Sequence, residues 1–134
     1  MSSVVRLPRR IYRGAEISRT PNIIDDYDFS SVYQPILSPT HRKLVGYEAL
    51  VRVRKNNESI SPFTLFEQAE KNNQTPELDR HPLQLHLDNF ATSSQAVWLF
   101  LNINPGTCIH PEASLEKLAL QCKRSGIDPE KVVL

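Results

Sequence analysis

The chain has 134 residues, of which 40% are hydrophobic and 23% charged, so it can form one hydrophobic core or part of one. Its 16 basic and 15 acidic residues give a formal net charge of +1, which argues against a nucleic-acid binder. The sequence has no signal peptide and no apolar run of about 18 residues, so we expect no membrane segment. Cys108 and Cys122 then fit a reducing cytoplasm, and no second Cys/His pair accompanies Cys108 and His110 at the spacing of a zinc site.

Residues 1–28 show no sustained helical or strand period, and Pro8 and Pro21 interrupt them. Basic residues come first and acidic residues last: Arg6, Arg9, Arg10, Arg13 and Arg19, then Asp25, Asp26 and Asp28. We predict an amino-terminal arm or linker here. Such an arm is either solvated and disordered, which we favour, or in contact with an acidic partner or nucleic acid.

The first predicted strand is Ser31–Leu37, which includes Gln34. Pro35 has no N–H group, so this strand should lie at an edge or beside a bulge. Only residues 38–42 separate it from the next apolar run, which is too short for a parallel crossover. The first two strands should therefore be antiparallel.

The clearest strand pattern is Lys43–Arg54. Alternate residues form one apolar face: Val45, Tyr47, Ala49, Val51 and Val53. The opposite face carries Glu48, Leu50, Arg52 and Arg54. Glu48 and Arg52 are about 13 Å apart along a strand, too far for a salt bridge but suited to two ends of one ligand. From this stretch alone, the polar face either meets solvent or binds a ligand.

Two helices should follow. Ser61-Pro62 is typical of a helix start, with Phe63, Phe66 and Ala69 on one face before a stop at Asn72-Asn73.

Thr75-Pro76 offers the same start signal for a second helix that reaches about Phe90. Because Pro82 would disrupt its interior, this helix either kinks or begins near Asp79, and we favour Asp79.

The run Val97–Leu101 is continuously apolar, which predicts a strand buried on both faces of a parallel sheet. Asn102 follows at its carboxyl end, where parallel α/β folds bind ligands. Asn102 is either a ligand-binding residue or a turn asparagine before Asn104-Pro105-Gly106.

An amphipathic helix is predicted over Pro111–Arg124, ending at Gly126. Its apolar stripe comprises Leu115, Leu118, Ala119 and Cys122. Val132–Leu134 then forms a new strand and completes a right-handed βαβ unit. These three bulky apolar residues at the last positions predict that the chain is part of a longer protein.

Several motifs follow one another with the order and spacing of a known family: Tyr33-Gln34-Pro35-Ile36, Gly46-Tyr47-Glu48-Ala49-Leu50-Val51-Arg52, Ile60-Ser61-Pro62, Leu101-Asn102, Gly126-Ile127-Asp128-Pro129 and Val132-Val133-Leu134. Together they resemble the first half of the EAL domain, from Phe29 to Leu134. The family comprises bacterial cyclic di-GMP phosphodiesterases. The resemblance implies an α/β fold, the amino-terminal part of a modified (β/α)8 barrel with an antiparallel first strand, truncated after about four strands.

Carried over by position, Glu48 and Asn102 resemble ligands of a catalytic Mg²⁺ or Mn²⁺, whereas Gln34, Leu50 and Arg52 resemble contacts to cyclic di-GMP. The resemblance implies that the catalytic residues lie downstream of Leu134, so these 134 residues alone should be inactive. The parent is expected to hydrolyse cyclic di-GMP to linear pGpG. The alternatives are a degenerate EAL protein that binds cyclic di-GMP or a protein partner, and an unrelated fragment. Exposed strand edges predict a homodimer or other self-association.

Overall fold

The computed structural model describes residues 22–91, 96–104 and 115–134, together with the backbone of Val5 and Arg6. Its strands are β1 (Val5–Arg6), β2 (Asp28–Ser38), β3 (Lys43–Lys55), β4 (Glu58–Ile60), β5 (Trp98–Leu101) and β6 (Val132–Val133). Its helices are α1 (Pro62–Lys71), α2 (Thr75–Ala91) and α3 (Leu115–Arg124). Within these ranges no helix has the length and apolarity needed to cross a membrane. Most of the predicted arm, Cys108 and the predicted start of the last helix at Pro111 lie outside the described residues.

The predicted antiparallel hairpin is confirmed. Strand β2 pairs with β3 from Asp28 opposite Arg54 to Ser38 opposite Lys43. It is longer than the predicted Ser31–Leu37 because pairing with the long β3 extends it at both ends. The register shifts between Ile36 and Leu37, so Pro35 lies close to an irregularity, as its missing N–H predicts.

The sheet is mixed. Its order is β1-β2-β3-β5-β6, and β4 pairs antiparallel with the far end of β3. Strand β5 runs parallel to β3, and β6 runs parallel to β5. The sequence between β5 and β6 contains α3, so the predicted βαβ unit is present. The described residues thus form an α/β fold with three helices.

Both hydrophobic clusters draw their strand residues from one face of the sheet. In the first cluster, Tyr33, Ala49 and Leu99 pack with residues of α2 and α3. In the second, Val53 packs with Leu65 and Ala69 of α1, and the cluster also contains Leu78 of α2 and Ile23. The alternation of apolar residues in β3 therefore positions the helices on one face and leaves the other face for Gln34, Glu48 and Leu50.

The predicted burial in α1 is partly wrong. Phe63 is 71% exposed, whereas Leu65 and Ala69 are fully buried. Leu65 and Ala69 are four residues apart, so they share the face that packs on the second cluster.

The predicted start of α2 at Asp79 is wrong, because the helix begins at Thr75 and contains Pro82. The N–H of Leu78 already donates to the carbonyl of Gln74 at 3.2 Å. Leu78 is completely buried and Pro82 is buried as well. Burial of these two side chains offsets the hydrogen bond that the proline removes from the helix.

Strand β5 is buried on one face, not on both as predicted. Leu99 and Leu101 are buried, but Trp98 is 44% exposed and Phe100 is half-buried. Trp98 and Phe100 belong to neither hydrophobic cluster, since they lie on the sheet face opposite the helices.

The predicted stripe of α3 is also only partly correct. Leu118 and Cys122 are buried, whereas Leu115 is 59% exposed. The helix ends at Arg124, and Gly126 follows as the predicted stop, with a φ of 77° in the left-handed region that favours glycine.

Candidate functional site

The strand register places Gln34 beside Glu48. Gln34 on β2 is directly opposite Glu48 on β3, and Glu48 is in turn paired with Phe100 on β5. Directly opposed residues of neighbouring strands project from the same face of a sheet. An amide, a carboxylate and an aromatic ring therefore form a row across three strands.

Asn102 joins this row from the carboxyl end of β5. Its Nδ2 donates a hydrogen bond of 2.9 Å to Oε1 of Glu48. The two residues are 54 positions apart in the sequence, and the parallel pairing of β3 with β5 brings them together. The structure thus places the carboxylate and the amide that sequence reasoning singled out on the same side of the sheet and in direct contact.

Leu50 and Arg52 lie farther along β3. Together with Asn102 they line a cavity of about 800 Å³, whose other walls come largely from α2 and α3. Gln34 and Glu48 are not among its lining residues. The predicted site residues therefore form two adjoining groups. Gln34 and Glu48 lie together outside the cavity, and Leu50 and Arg52 line it. Asn102 belongs to both groups, because it contacts Glu48 and also lines the cavity.

The cavity lining is largely apolar, and its charged residues are mostly cationic. Its charged lining residues are Arg52, Arg80, Lys117, Arg124 and Asp79. Arg52 is exposed, and its Nη1 donates to the carbonyl of Val51 at 3.1 Å. No acidic side chain lies within ion-pair distance of Arg52 in the described part of the chain. Its guanidinium is therefore available to an anionic ligand.

A family model for the EAL domain matches residues 16–134. The chain belongs to the EAL domain family. No curated protein matches it significantly.

Solved EAL structures resemble the fold of this EAL chain. The FimX EAL domain from Pseudomonas aeruginosa bound to c-di-GMP has a TM-score of 0.61 at 19% identity, over 78% of this chain and 42% of that one. Klebsiella pneumoniae BlrP1 with FMN and cyclic diGMP, without metal ions, has a TM-score of 0.63 at 19% identity, over 98% of this chain and 32% of that one. The EAL chain therefore spans less than half the length of these structures. The likeness supports a TIM-barrel-like α/β fold.

The contact between Glu48 and Asn102 allows a test of whether the site suits a divalent cation. Hard cations such as Mg²⁺ and Mn²⁺ take carboxylate and amide oxygens, which this pair supplies. Asn102 turns its nitrogen toward Glu48, and a half-turn of its amide group presents Oδ1 instead. The described residues contain no group of three or more His, Cys, Asp or Glu that could hold a metal. The donor chemistry fits, and further ligands must come from other groups.

A buried polar cluster beside the site was missed by sequence reasoning. Ser31 Oγ and His86 Nδ1 are 2.6 Å apart, and the Tyr33 hydroxyl donates to the His86 carbonyl at 2.6 Å. Burial lowers the pKa of His86 to about 4 and raises the pKa of the Tyr33 hydroxyl. The cluster attaches α2 to the strand that carries Gln34. Its sequence signal was weak: Ser31 and Tyr33 alternate with Gln34 on β2, and a histidine occurs on an otherwise apolar helix face.

Proposed function

We propose that this EAL chain supplies part of the site of a metal-dependent phosphodiesterase that hydrolyses cyclic di-GMP to linear pGpG in bacterial signalling. The observation that carries the proposal is the hydrogen bond of 2.9 Å between Glu48 and Asn102 at the carboxyl end of the parallel strands. The chemistry of these two groups, their position and the family all favour a site that holds Mg²⁺ or Mn²⁺.

The substrate-binding roles in this proposal belong to Gln34, Leu50 and Arg52. Arg52 presents a planar guanidinium that matches a phosphodiester with two parallel hydrogen bonds. Leu50 is half-buried at the cavity edge, where it can contact an apolar surface of the ligand. Gln34 lies opposite Glu48 and offers both donor and acceptor groups.

In the proposed reaction Glu48 and Asn102 would supply oxygen ligands to a divalent cation, and Arg52 neutralises phosphate charge. A bound divalent cation would activate a water molecule and stabilise the departing oxygen. Because the described residues provide only these two oxygen ligands in contact, we propose that the remaining ligands and the catalytic residues are supplied by other parts of the protein. On this proposal the 134 residues alone do not hydrolyse cyclic di-GMP.

The second candidate is an EAL protein that binds cyclic di-GMP without cleaving it. The exposed Arg52 guanidinium beside the cavity can bind an anionic ligand without a metal, and this observation favours the second candidate. Both candidates use Arg52 and the cavity, so ligand binding alone does not separate them. Metal-dependent turnover does.

The test compares Glu48→Gln with wild type in the full-length protein. Loss of a direct metal ligand should lower turnover of cyclic di-GMP by more than about 100-fold, since even residues that only support metal ligands cost 10- to 100-fold. The matched control is Glu58→Gln, which removes an exposed carboxylate on β4. Product formation is measured by chromatography with Mg²⁺ and Mn²⁺, and the fold is checked by circular dichroism.

The outcomes distinguish the candidates. Parental turnover by Glu48→Gln would refute the role of Glu48 in metal binding. Wild-type protein that binds cyclic di-GMP but never cleaves it would support the non-catalytic candidate. Wild-type protein that does neither would refute both.

A further inference from the structure

Asp28 and Arg54 form a charged pair at the outer end of the β2–β3 hairpin. They are directly opposite each other in the register, so their side chains project from the same face as Gln34 and Glu48. Both side chains are exposed. Arg54 is two residues beyond Arg52 and six beyond Glu48, or about 7 Å and 20 Å along the strand.

The two charges are not joined. Neither Asp28 nor Arg54 takes part in an ion pair or a side-chain hydrogen bond in the described part of the chain. Their Cβ atoms should be only about 5 Å apart, as in any directly opposed pair. A carboxylate and a guanidinium without partners among the described residues therefore lie side by side on the face of the hairpin that carries Gln34 and Glu48.

The backbone that carries this pair is well anchored. Val53, next to Arg54, is 2% exposed and pairs with Ile60 of β4. The hydroxyl of Tyr27, next to Asp28, donates to Gln68 at 3.0 Å, and Lys55 Nζ is 4.9 Å from the centre of the Tyr27 ring. Because these neighbours are fixed on the opposite face, the backbone presents Asp28 and Arg54 side by side without a ligand.

We propose that Asp28 and Arg54 recognise one guanine base of cyclic di-GMP, an inference that rests on the function proposed above. Arginine binds the O6 and N7 acceptors of guanine with two hydrogen bonds. A carboxylate beside it accepts hydrogen bonds from the N–H groups on the opposite side of O6. Adenine has an amino donor where guanine has O6, so it cannot accept both hydrogen bonds from Arg54, and it has no N1–H donor for Asp28.

The carboxylate also excludes the obvious alternative, a second phosphate on Arg54. Asp28 lies directly opposite Arg54, and a phosphate bound there would meet a negative charge at close range. A neutral base that offers acceptors on one edge and donors on the next fits both side chains. Arg52 has no acid in the opposed position, since its partner in the register is Ser30, which is consistent with a phosphate at Arg52 and a base at Arg54.

The experiment measures binding of cyclic di-GMP and cyclic di-AMP to the full-length protein by calorimetry, with Arg54→Ala, Arg54→Lys and Asp28→Ala. A lost bidentate base contact should weaken cyclic di-GMP binding by about 5- to 150-fold. Cyclic di-AMP binding should weaken much less, because adenine offers Arg54 a single acceptor, so that the preference for guanine falls. Arg54→Lys should also lose preference, because an ammonium group cannot form the bidentate contact. Lys43→Ala is the control, since it removes an exposed cation at the opposite end of β3.

Asp28→Ala should change the affinity for cyclic di-GMP in opposite directions, depending on whether Arg54 binds a base or a phosphate. If Arg54 binds a base, Asp28→Ala weakens cyclic di-GMP binding. If Arg54 binds phosphate, the same change strengthens binding of both dinucleotides, and the inference is wrong. Equal losses for both dinucleotides in Arg54→Ala, or no change at all, would overturn it too. Failure of wild type to bind cyclic di-GMP would instead refute the proposed function.

Discussion

Gly46→Ala should destabilise the fold and disturb the site at the same time. A Cβ atom at Gly46 would lie 2.2 Å from the carbonyl oxygen of Trp98 and 3.0 Å from Cε2 of Phe100. The first of these neighbours is backbone, so the clash cannot be relieved by a side-chain rotation. Strands β3 and β5 must separate by about 1 Å at this point to reach an ordinary contact distance.

The loss of stability in Gly46→Ala should come from overpacking and from weaker pairing between β3 and β5. Overpacking costs about 1–3 kcal/mol, and the β3–β5 ladder has only four residue pairs over which to absorb the shift. We expect a loss of about 3 kcal/mol in the free energy of unfolding. With a urea dependence of about 1–3 kcal/mol per molar, the unfolding midpoint should fall by about 1–3 M.

The matched control is Gly126→Ala. Gly126 has a φ of 77° but nothing within 4 Å of an added Cβ, so this variant tests backbone strain without a clash. It should cost about 1 kcal/mol. Urea unfolding followed by circular dichroism compares the two variants. The unfolding midpoint of Gly46→Ala could instead equal that of wild type or exceed that of Gly126→Ala. Either result would show that the close approach of β3 and β5 does not restrict residue 46 to glycine.

Three further outcomes are expected. First, burial lowers the pKa of His86 in the folded state to about 4, from its ordinary value of 6.5. Between these two pH values the unfolded chain binds a proton at His86 and the folded chain does not. The free energy of unfolding should therefore fall by about 3 kcal/mol from pH 6.5 to pH 4. His86→Asn should flatten this slope in urea unfolding at several pH values, and an unchanged slope would assign it to other groups. Second, Tyr33→Phe should cost about 1–2 kcal/mol, because it leaves the buried carbonyl of His86 without the hydroxyl that donates to it; an unchanged unfolding midpoint would contradict this. Third, β6 pairs only with β5 among the described strands and Leu134 is 55% exposed, so light scattering of the 134-residue chain should show concentration-dependent self-association, and a monodisperse monomer would contradict that expectation.

The strands were predictable where a local pattern determined them. The alternation along Lys43–Arg54 requires one buried face, and the short connection to the preceding strand requires an antiparallel partner. The same alternation predicts that Glu48, Leu50 and Arg52 share one face. Asn102 could be assigned to the carboxyl end of β5 because it is the first polar residue after an apolar run.

The errors arose where tertiary packing overrides local preference. Pro82 disfavours a continuous helix, but the burial of Leu78 before it extends the helix to Thr75. Apolar periodicity alone could not tell that Leu65, rather than Phe63, faces the sheet. The cluster around His86 joins residues 55 positions apart, and no local pattern reports such a contact.

The two ends of the proposed site depend on different parts of the fold. The pairs Gln34–Glu48 and Asp28–Arg54 belong to one hairpin, which closes over a short loop. The contact between Glu48 and Asn102 instead requires β5 to pair with β3 across more than 50 residues. A change that loosens β5, such as Gly46→Ala, should therefore separate Asn102 from Glu48 while the hairpin keeps its register. Metal affinity should then fall more than the preference for guanine, because the groups proposed to read the base are held by β2, β3 and β4 alone.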